Sequence, residues 1–163
     1  MKKRWFILVL CMLLSGCSAA ETVETLGPIQ HQQTDAPVML PVHLSLPSSA
    51  AVETFGGQER VYDCDGYTLV LQTRAAGDFH STVENLSGFT TDRLTIMESK
   101  VGDTKRYDWV WTAAGEEGDV LGRAAVLDDG NYHYCLYILA PAQTAAGLSE
   151  EWNNVFGSFY LEK

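Results

Sequence analysis

The sequence has few positive charges, no long hydrophobic run and none of the common hydrolase motifs. Its 163 residues contain 11 Lys and Arg against 21 Asp and Glu, which gives a formal net charge of −10. Proteins that bind nucleic acids neutralise phosphates with clustered Lys and Arg, and this acidic chain would repel a polyanion. The charge balance therefore excludes nucleic acid as a partner.

The apolar run near the N-terminus is too short to cross a bilayer. It extends from Trp5 to Leu14, ten residues, whereas a membrane-spanning helix needs about 20. Lys2, Lys3 and Arg4 precede it. A short apolar run behind a basic start is typical of a secretory signal peptide.

The residues after this run give the signal a more specific character. Leu14-Ser-Gly-Cys17 resembles the lipobox of bacterial lipoproteins. The resemblance implies cleavage before Cys17, a diacylglyceryl group on its thiol and fatty acids such as palmitate, which together hold a protein stably on a membrane. The alternative is an ordinary signal peptide with a chance cysteine. We expect a signal peptide over residues 1–16, the lipidated Cys17 with a flexible tether over 17–40, and a domain over 41–163 on the extracytoplasmic side of a bacterial cell membrane.

Alternating apolar and polar residues predict a mainly antiparallel sheet in this domain. Asp65-Gly66 and the Asp128–Asn131 segment are typical hairpin turns. Asp78 is a predicted helix cap, with Gly88 as the stop, and Ser149 is a predicted cap for a helix that ends at Gly157. The predicted strands cover residues 42–46, 59–64, 67–73, 93–98, 105–112, 120–127, 132–139 and 158–162. Strands in hairpin order with two helices indicate an α+β fold.

The C-terminal third resembles a known fold family. Two segments are involved, Gly122–Pro141, which ends in Ala-Pro, and Trp152–Leu161, which closes with Ser-Phe-Tyr-Leu. They resemble the PsbP-like fold, whose superfamily includes photosystem PsbP proteins, Ran-binding Mog proteins and many bacterial lipoproteins. The resemblance implies an αβα sandwich with a central antiparallel sheet of about six strands. It does not imply an enzyme, and no binding residues of those proteins can be matched here.

Two cysteines remain in the predicted domain, Cys64 and Cys135. An even number in an exported protein suggests a disulfide, which would constrain the unfolded chain. The alternative is two separate buried thiols. Neither cysteine belongs to a CxxC motif, so redox catalysis and a zinc site are not expected.

Tyr107, Trp109 and Trp111 alternate along one predicted strand and therefore share a face. Such a stripe can bind a small ligand, but it also makes good core beneath a covering helix. The acidic turns are more typical of β-hairpins than of a calcium-binding loop, because they lack the full set of alternating oxygen ligands that calcium needs. We predict no metal and no cofactor apart from the covalent lipid on Cys17.

His43, His80 and His133 are the imidazoles available to a hydrolase, but no GxSxG, SxxK or HExxH motif accompanies them. We therefore predict a non-enzymatic, membrane-anchored accessory module that binds an envelope partner. The alternatives are a small-molecule or ion-binding lipoprotein that uses the aromatic stripe, and an unrecognised extracytoplasmic hydrolase.

Overall fold

A computed structural model describes residues 36–162. The predicted signal peptide, Cys17 and most of the predicted tether lie outside these residues. The described part contains nine strands, three α-helices and two short 3₁₀ turns. In chain order they are β1 (Val42–His43), β2 (Ala51–Gly56), β3 (Glu59–Cys64), β4 (Tyr67–Ala75), α1 (Phe79–Ser87), a 3₁₀ turn (Thr91–Arg93), β5 (Met97–Val101), β6 (Thr104–Gly115), β7 (Gly118–Asp128), β8 (Tyr132–Pro141), α2 (Ala142–Ala145), a second 3₁₀ turn (Ala146–Leu148), α3 (Ser149–Gly157) and β9 (Tyr160–Leu161).

Seven strands form one antiparallel sheet in the order β2-β3-β4-β8-β7-β6-β5. Two meanders build it, β2 to β4 and β5 to β8, and α1 lies in the connection between them. The meanders join where β4 pairs with β8. β1 and β9 form a separate antiparallel pair. The α+β class and the antiparallel sheet are therefore confirmed, with seven strands where about six were expected.

Local turn chemistry explains the hairpins and the first helix. Gly66 has a φ of 83°, which glycine adopts without strain, and it links β3 to β4 as predicted. The Asp129 carboxylate accepts hydrogen bonds from the amides of Asn131 and Tyr132, which fixes the turn between β7 and β8. Asp78 caps α1 by accepting from two backbone amides, and Gly88 ends it in the left-handed region.

Other local predictions need correction. β5 begins at Met97 because Thr91–Arg93 forms a 3₁₀ turn in place of the expected strand start. Ser149 makes no capping bond, since the helical path already runs into it from α2 through the 3₁₀ turn. The edge strand β2 was not predicted.

The two faces of the sheet bury separate clusters, because alternate residues of a strand point to opposite sides. One cluster includes Trp152, Val155 and Phe156 of α3. The other includes Val83 of α1 with the aromatic residues of β6. We call these sides the α3 face and the α1 face.

The chain that enters the domain lies against it from Pro37 onward. The Leu40 amide donates to the Tyr134 hydroxyl at 2.8 Å, and the Tyr132 hydroxyl donates to the Pro37 carbonyl at 2.6 Å. Residues 37–40, expected at the end of the tether, are thus fastened to the sheet.

Candidate functional site

A groove opens on the α3 face, between the C-terminal helices and the outer strands β5 and β6. Its volume is about 590 Å³. It exists because α3 packs over the middle strands of the sheet, so β5 and one side of β6 extend beyond it. Val110 and Met97 in the groove are 59% and 66% exposed, although both are apolar. The lining residues are Thr95, Met97, Asp108, Trp109, Val110, Leu121, Arg123, Ala142, Ala145, Ala146, Ser149, Trp152 and Asn153.

A fixed guanidinium stands at the helix side of the groove. Arg123 donates to the Asn153 side-chain oxygen at 2.8 Å, and its guanidinium carbon, Cζ, lies 4.2 Å from the centre of the Phe156 ring. Burial lowers the pKa of Arg123, but an arginine stays protonated at any physiological pH. The groove therefore combines an apolar floor with a positive charge whose position is fixed by Asn153 and Phe156.

The carboxylate in the groove is already neutralised. Asp108 accepts two hydrogen bonds from Arg106, at 2.7 and 2.8 Å, in the bidentate geometry that suits a guanidinium. Arg106 also donates to the carbonyls of Phe156 and Phe159, at 3.0 and 3.1 Å. It thereby ties the C-terminal end of α3 to β6.

The predicted aromatic stripe lies on the opposite face and is core. Tyr107, Trp109 and Trp111 are 9%, 2% and 7% exposed. Phe79 of α1 packs against two of them, with its ring centre 4.0 Å from that of Tyr107 and 6.4 Å from that of Trp109. Gly122 lies opposite Trp111 in the ladder, and the indole occupies the space that a Cβ at that position would fill. The stripe therefore offers no platform to a ligand, and of the two interpretations of its sequence the buried core is the one that the structure supports.

The expected disulfide is absent, and this prediction also needs correction. Cys64 and Cys135 are both free and buried. Cys64 belongs to the cluster on the α3 face and Cys135 to the cluster on the α1 face, so the sheet itself lies between the thiols. Burial raises the pKa of both, that of Cys135 to about 12, so neither is a reactive thiolate.

His133 is the histidine with the most enzyme-like surroundings. Its Nδ1 lies 2.9 Å from the Thr82 hydroxyl, and its Nε2 lies 4.0 Å from an Asp128 oxygen. A hydroxyl, an imidazole and a carboxylate in a row resemble a nucleophilic triad. However, His133 is 1% exposed and Thr82 is 4% exposed, so a substrate has no access to them. We interpret these contacts as structural: the hydrogen bond between Thr82 and His133 links α1 to the sheet.

The other two histidines make local contacts. His80 lies 2.6 Å from the Thr91 hydroxyl, and His43 stacks on Tyr160 and approaches Glu162 at 3.4 Å. Between residues 36 and 162, no group of three or more His, Cys, Asp or Glu side chains could hold a metal ion. Within the same range, no helix is both long and apolar enough for a membrane span.

Sequence reasoning missed the groove. Its available signal was Val110, an apolar residue on the side of β6 that also presents Arg106 and Asp108. A lone valine among polar neighbours is a weak signal, because isolated apolar residues are common on protein surfaces.

Comparison with known proteins identifies the fold. No family model matches the chain, and no curated protein matches it in sequence. Among solved structures, the chain is similar to the PsbP protein CyanoP of Synechocystis sp. PCC 6803, with a TM-score of 0.52 and 10% identity over 83% of this chain and 100% of that one. The fold is PsbP-like.

Two further structures are similar. One is a protein of Bacteroides thetaiotaomicron, with a TM-score of 0.52 and 11% identity over 75% of this chain; the match spans only 45% of that protein. The other is the Ran-binding protein Mog1p of Saccharomyces cerevisiae, with a TM-score of 0.49 and 13% identity over 74% of this chain and 89% of that one. Identities this low concern the fold and not the activity.

Proposed function

We propose that the protein is a lipid-anchored accessory protein of the bacterial cell envelope, which binds a partner protein on the extracytoplasmic side and catalyses no reaction. The open groove on the α3 face is the observation that carries the binding part. The basic start, the short apolar run and Leu14-Ser-Gly-Cys17 support the anchor. The clusters on both faces of the sheet, each with a helix, support the αβα sandwich of PsbP-like proteins.

The groove suits an apolar side chain of a partner. Its floor is apolar, and two of the residues that line it, Met97 and Val110, are apolar and exposed. Exposed apolar residues around a groove are typical of interaction sites. Arg123 and Asn153 on the rim supply a donor and an acceptor that would orient the incoming segment. The acidic chain favours a partner whose own surface is basic.

A small apolar molecule is the second candidate occupant. A volume of about 590 Å³ falls within the range of ligand pockets, roughly 300–1,000 Å³. The ligand-binding alternative thus moves from the buried aromatic stripe to the groove.

Cross-linking in intact cells followed by affinity capture tests the groove. Val110→Asp places a charge on the groove floor and should abolish capture of the partner. Val52→Asp is the matched control, because Val52 is 58% exposed on β2 at the opposite edge of the sheet. Equal capture by both variants would contradict the partner proposal. Loss of a co-purifying small molecule from Val110→Asp alone would assign the groove to a ligand.

Labelling with a radioactive fatty acid tests the anchor. Cys17→Ala should abolish the label and release the protein from the membrane fraction. Cys11→Ala, within the apolar run, should leave both unchanged. A labelled, membrane-bound Cys17→Ala protein would rule out the lipobox interpretation.

A further inference from the structure

The sheet ends at β5 in a fully exposed edge strand of sequence Met97-Glu-Ser-Lys-Val101. One side of β5 pairs with β6, and the other side has no strand next to it within the described residues. An edge strand of this kind is a template for pairing with another chain, and proteins usually protect it with bulges, prolines or a cover. Within the described residues, β5 has no proline, no bulge and no covering segment, and the charged side chains that also protect edges are present as a pair of opposite sign, Glu98 and Lys100.

The hairpin fixes which backbone groups are available. The two residues Gly102 and Asp103 form the turn, so Val101 and Thr104 are the hydrogen-bonded pair that flanks it. Such pairs recur at every second residue. Met97, Ser99 and Val101 therefore direct their backbone groups towards β6, and Glu98 and Lys100 direct theirs away from the sheet.

The sequence of β5 is complementary to itself in the antiparallel direction. If Ser99 lies opposite Ser99 of a second copy, Glu98 lies opposite Lys100 and Met97 lies opposite Val101, each twice by symmetry. Glu98 and Lys100 are also the residues with outward backbone groups, so the same register gives four hydrogen bonds between the copies. Opposite charges and apolar pairs directly across a ladder are both favourable.

Within one chain the same strand has an unfavourable neighbour. Lys100 lies directly opposite Lys105 of β6, and like charges in that position repel. A second copy would place Glu98 on the other side of Lys100 and offset the repulsion. We propose that two copies of this protein pair through β5 in this register, which joins their sheets into one of fourteen strands. Met97 belongs both to this pairing and to the lining of the groove, but the pairing is argued from the β5 edge and its sequence, not from the identity of the groove's occupant.

Engineered cysteines in the full chain test the register. Ser99→Cys would bring two thiols face to face across a non-hydrogen-bonded pair, where the Cα atoms are about 4.5 Å apart, within disulfide range. Copper-phenanthroline as oxidant should then convert most of the protein to a disulfide-linked dimer on a non-reducing gel. Val101→Cys is the matched control, because its two copies would be four residues apart along the strands, about 13 Å. The parent protein gives the background of the native cysteines.

Charge exchange tests the pairing itself. In the Ser99→Cys background, Glu98→Lys should lower the initial cross-linking rate about tenfold, because it creates two repulsive pairs. Lys100→Glu added to it restores both pairs with exchanged signs and should restore the rate. The proposal is overturned if Ser99→Cys stays monomeric, if Val101→Cys cross-links equally fast, or if the exchanged pair fails to recover.

Discussion

The two faces of the sheet treat neighbouring residues of one strand in opposite ways. Trp109 on the α1 face is 2% exposed, whereas Val110, the next residue, is 59% exposed on the α3 face. Each face is covered by its own helix, α1 on one side and α3 on the other, and both helices have nine residues. Helix length alone therefore does not decide which face is closed.

The difference lies in what reaches the outer strands. On the α1 face, large aromatic side chains of β6 fill the space, and partly buried residues after α1, including Phe89, Leu94 and Ile96, pack against them. On the α3 face, β6 presents a charged pair, Arg106 and Asp108, followed by a small valine. Arg106 is engaged with Asp108 and the end of α3, and Val110 is too small to fill the remaining gap, so a groove results. Large aromatic side chains on β6 thus close the α1 face, whereas the α3 face stays open at the groove.

The largest expected effect distinguishes the faces directly. Trp109→Ala should lower the free energy of unfolding by about 3–5 kcal/mol, because it opens a cavity among packed rings. Val110→Ala should change it by less than about 0.5 kcal/mol, because an exposed side chain loses little. Urea unfolding of the two variants measures both. A comparable loss for Val110→Ala would mean that the groove is packed in solution.

A smaller effect tests the fit of the closed face. Gly122→Ala puts a methyl group where the Trp111 indole lies, and overpacking of this kind costs about 1–3 kcal/mol. Gly157→Ala at the end of α3 meets no atom within 4 Å and should change stability by about 1 kcal/mol or less. Thermal unfolding of both variants provides the measurement. If Gly122→Ala were as stable as the parent, Trp111 would have room to move, and the face would be less tightly closed than its burial indicates.

Much of the fold follows from local patterns in the sequence. The Asp78 cap, the Gly88 stop and the Asp65-Gly66 turn depend on residues close together in the chain, and the structure confirms all three. β2 was missed because its sequence, Ala-Val-Glu-Thr-Phe-Gly, lacks clear alternation and lies at the edge of the sheet, where burial imposes little pattern. The prediction of a disulfide between Cys64 and Cys135 was wrong for a related reason. Two cysteines in strands can face opposite sides of a sheet, and only the register between distant strands decides this.

The groove depends on distant parts of the chain to a greater extent. Val110, Arg123 and Asn153 come from two strands and a helix, and their proximity follows from where α3 docks. No spacing in the sequence records that docking. The aromatic stripe shows the converse: the alternation of Tyr107 to Trp111 correctly indicated one shared face, but only α1 and Phe79 determined that this face is buried.

The smallest expected effect concerns the hydrogen bond between Thr82 and His133, which holds α1 to the sheet. Burial lowers the pKa of His133 below its ordinary value of 6.5, and Arg74 acts in the same direction, against the opposing carboxylates of Asp128 and Asp129. The folded protein therefore binds this proton less readily than the unfolded chain. The free energy of unfolding should therefore lose nothing to His133 above pH 6.5 and should fall as the pH drops below that value.

The α3 face has no buried histidine among its core residues, so this pH dependence should belong to the α1 face within residues 36–162. His133→Asn keeps a hydrogen-bond acceptor for Thr82 but cannot take up the proton, so its free energy of unfolding should fall less steeply from pH 7.5 to 5.5 than that of the parent. Thr82→Val loses the hydroxyl and keeps the imidazole, and it should retain the parent slope. Urea unfolding at several pH values measures the three slopes. Identical slopes for the parent and His133→Asn would show that protonation acts elsewhere, and the closed face would then owe its stability to packing alone.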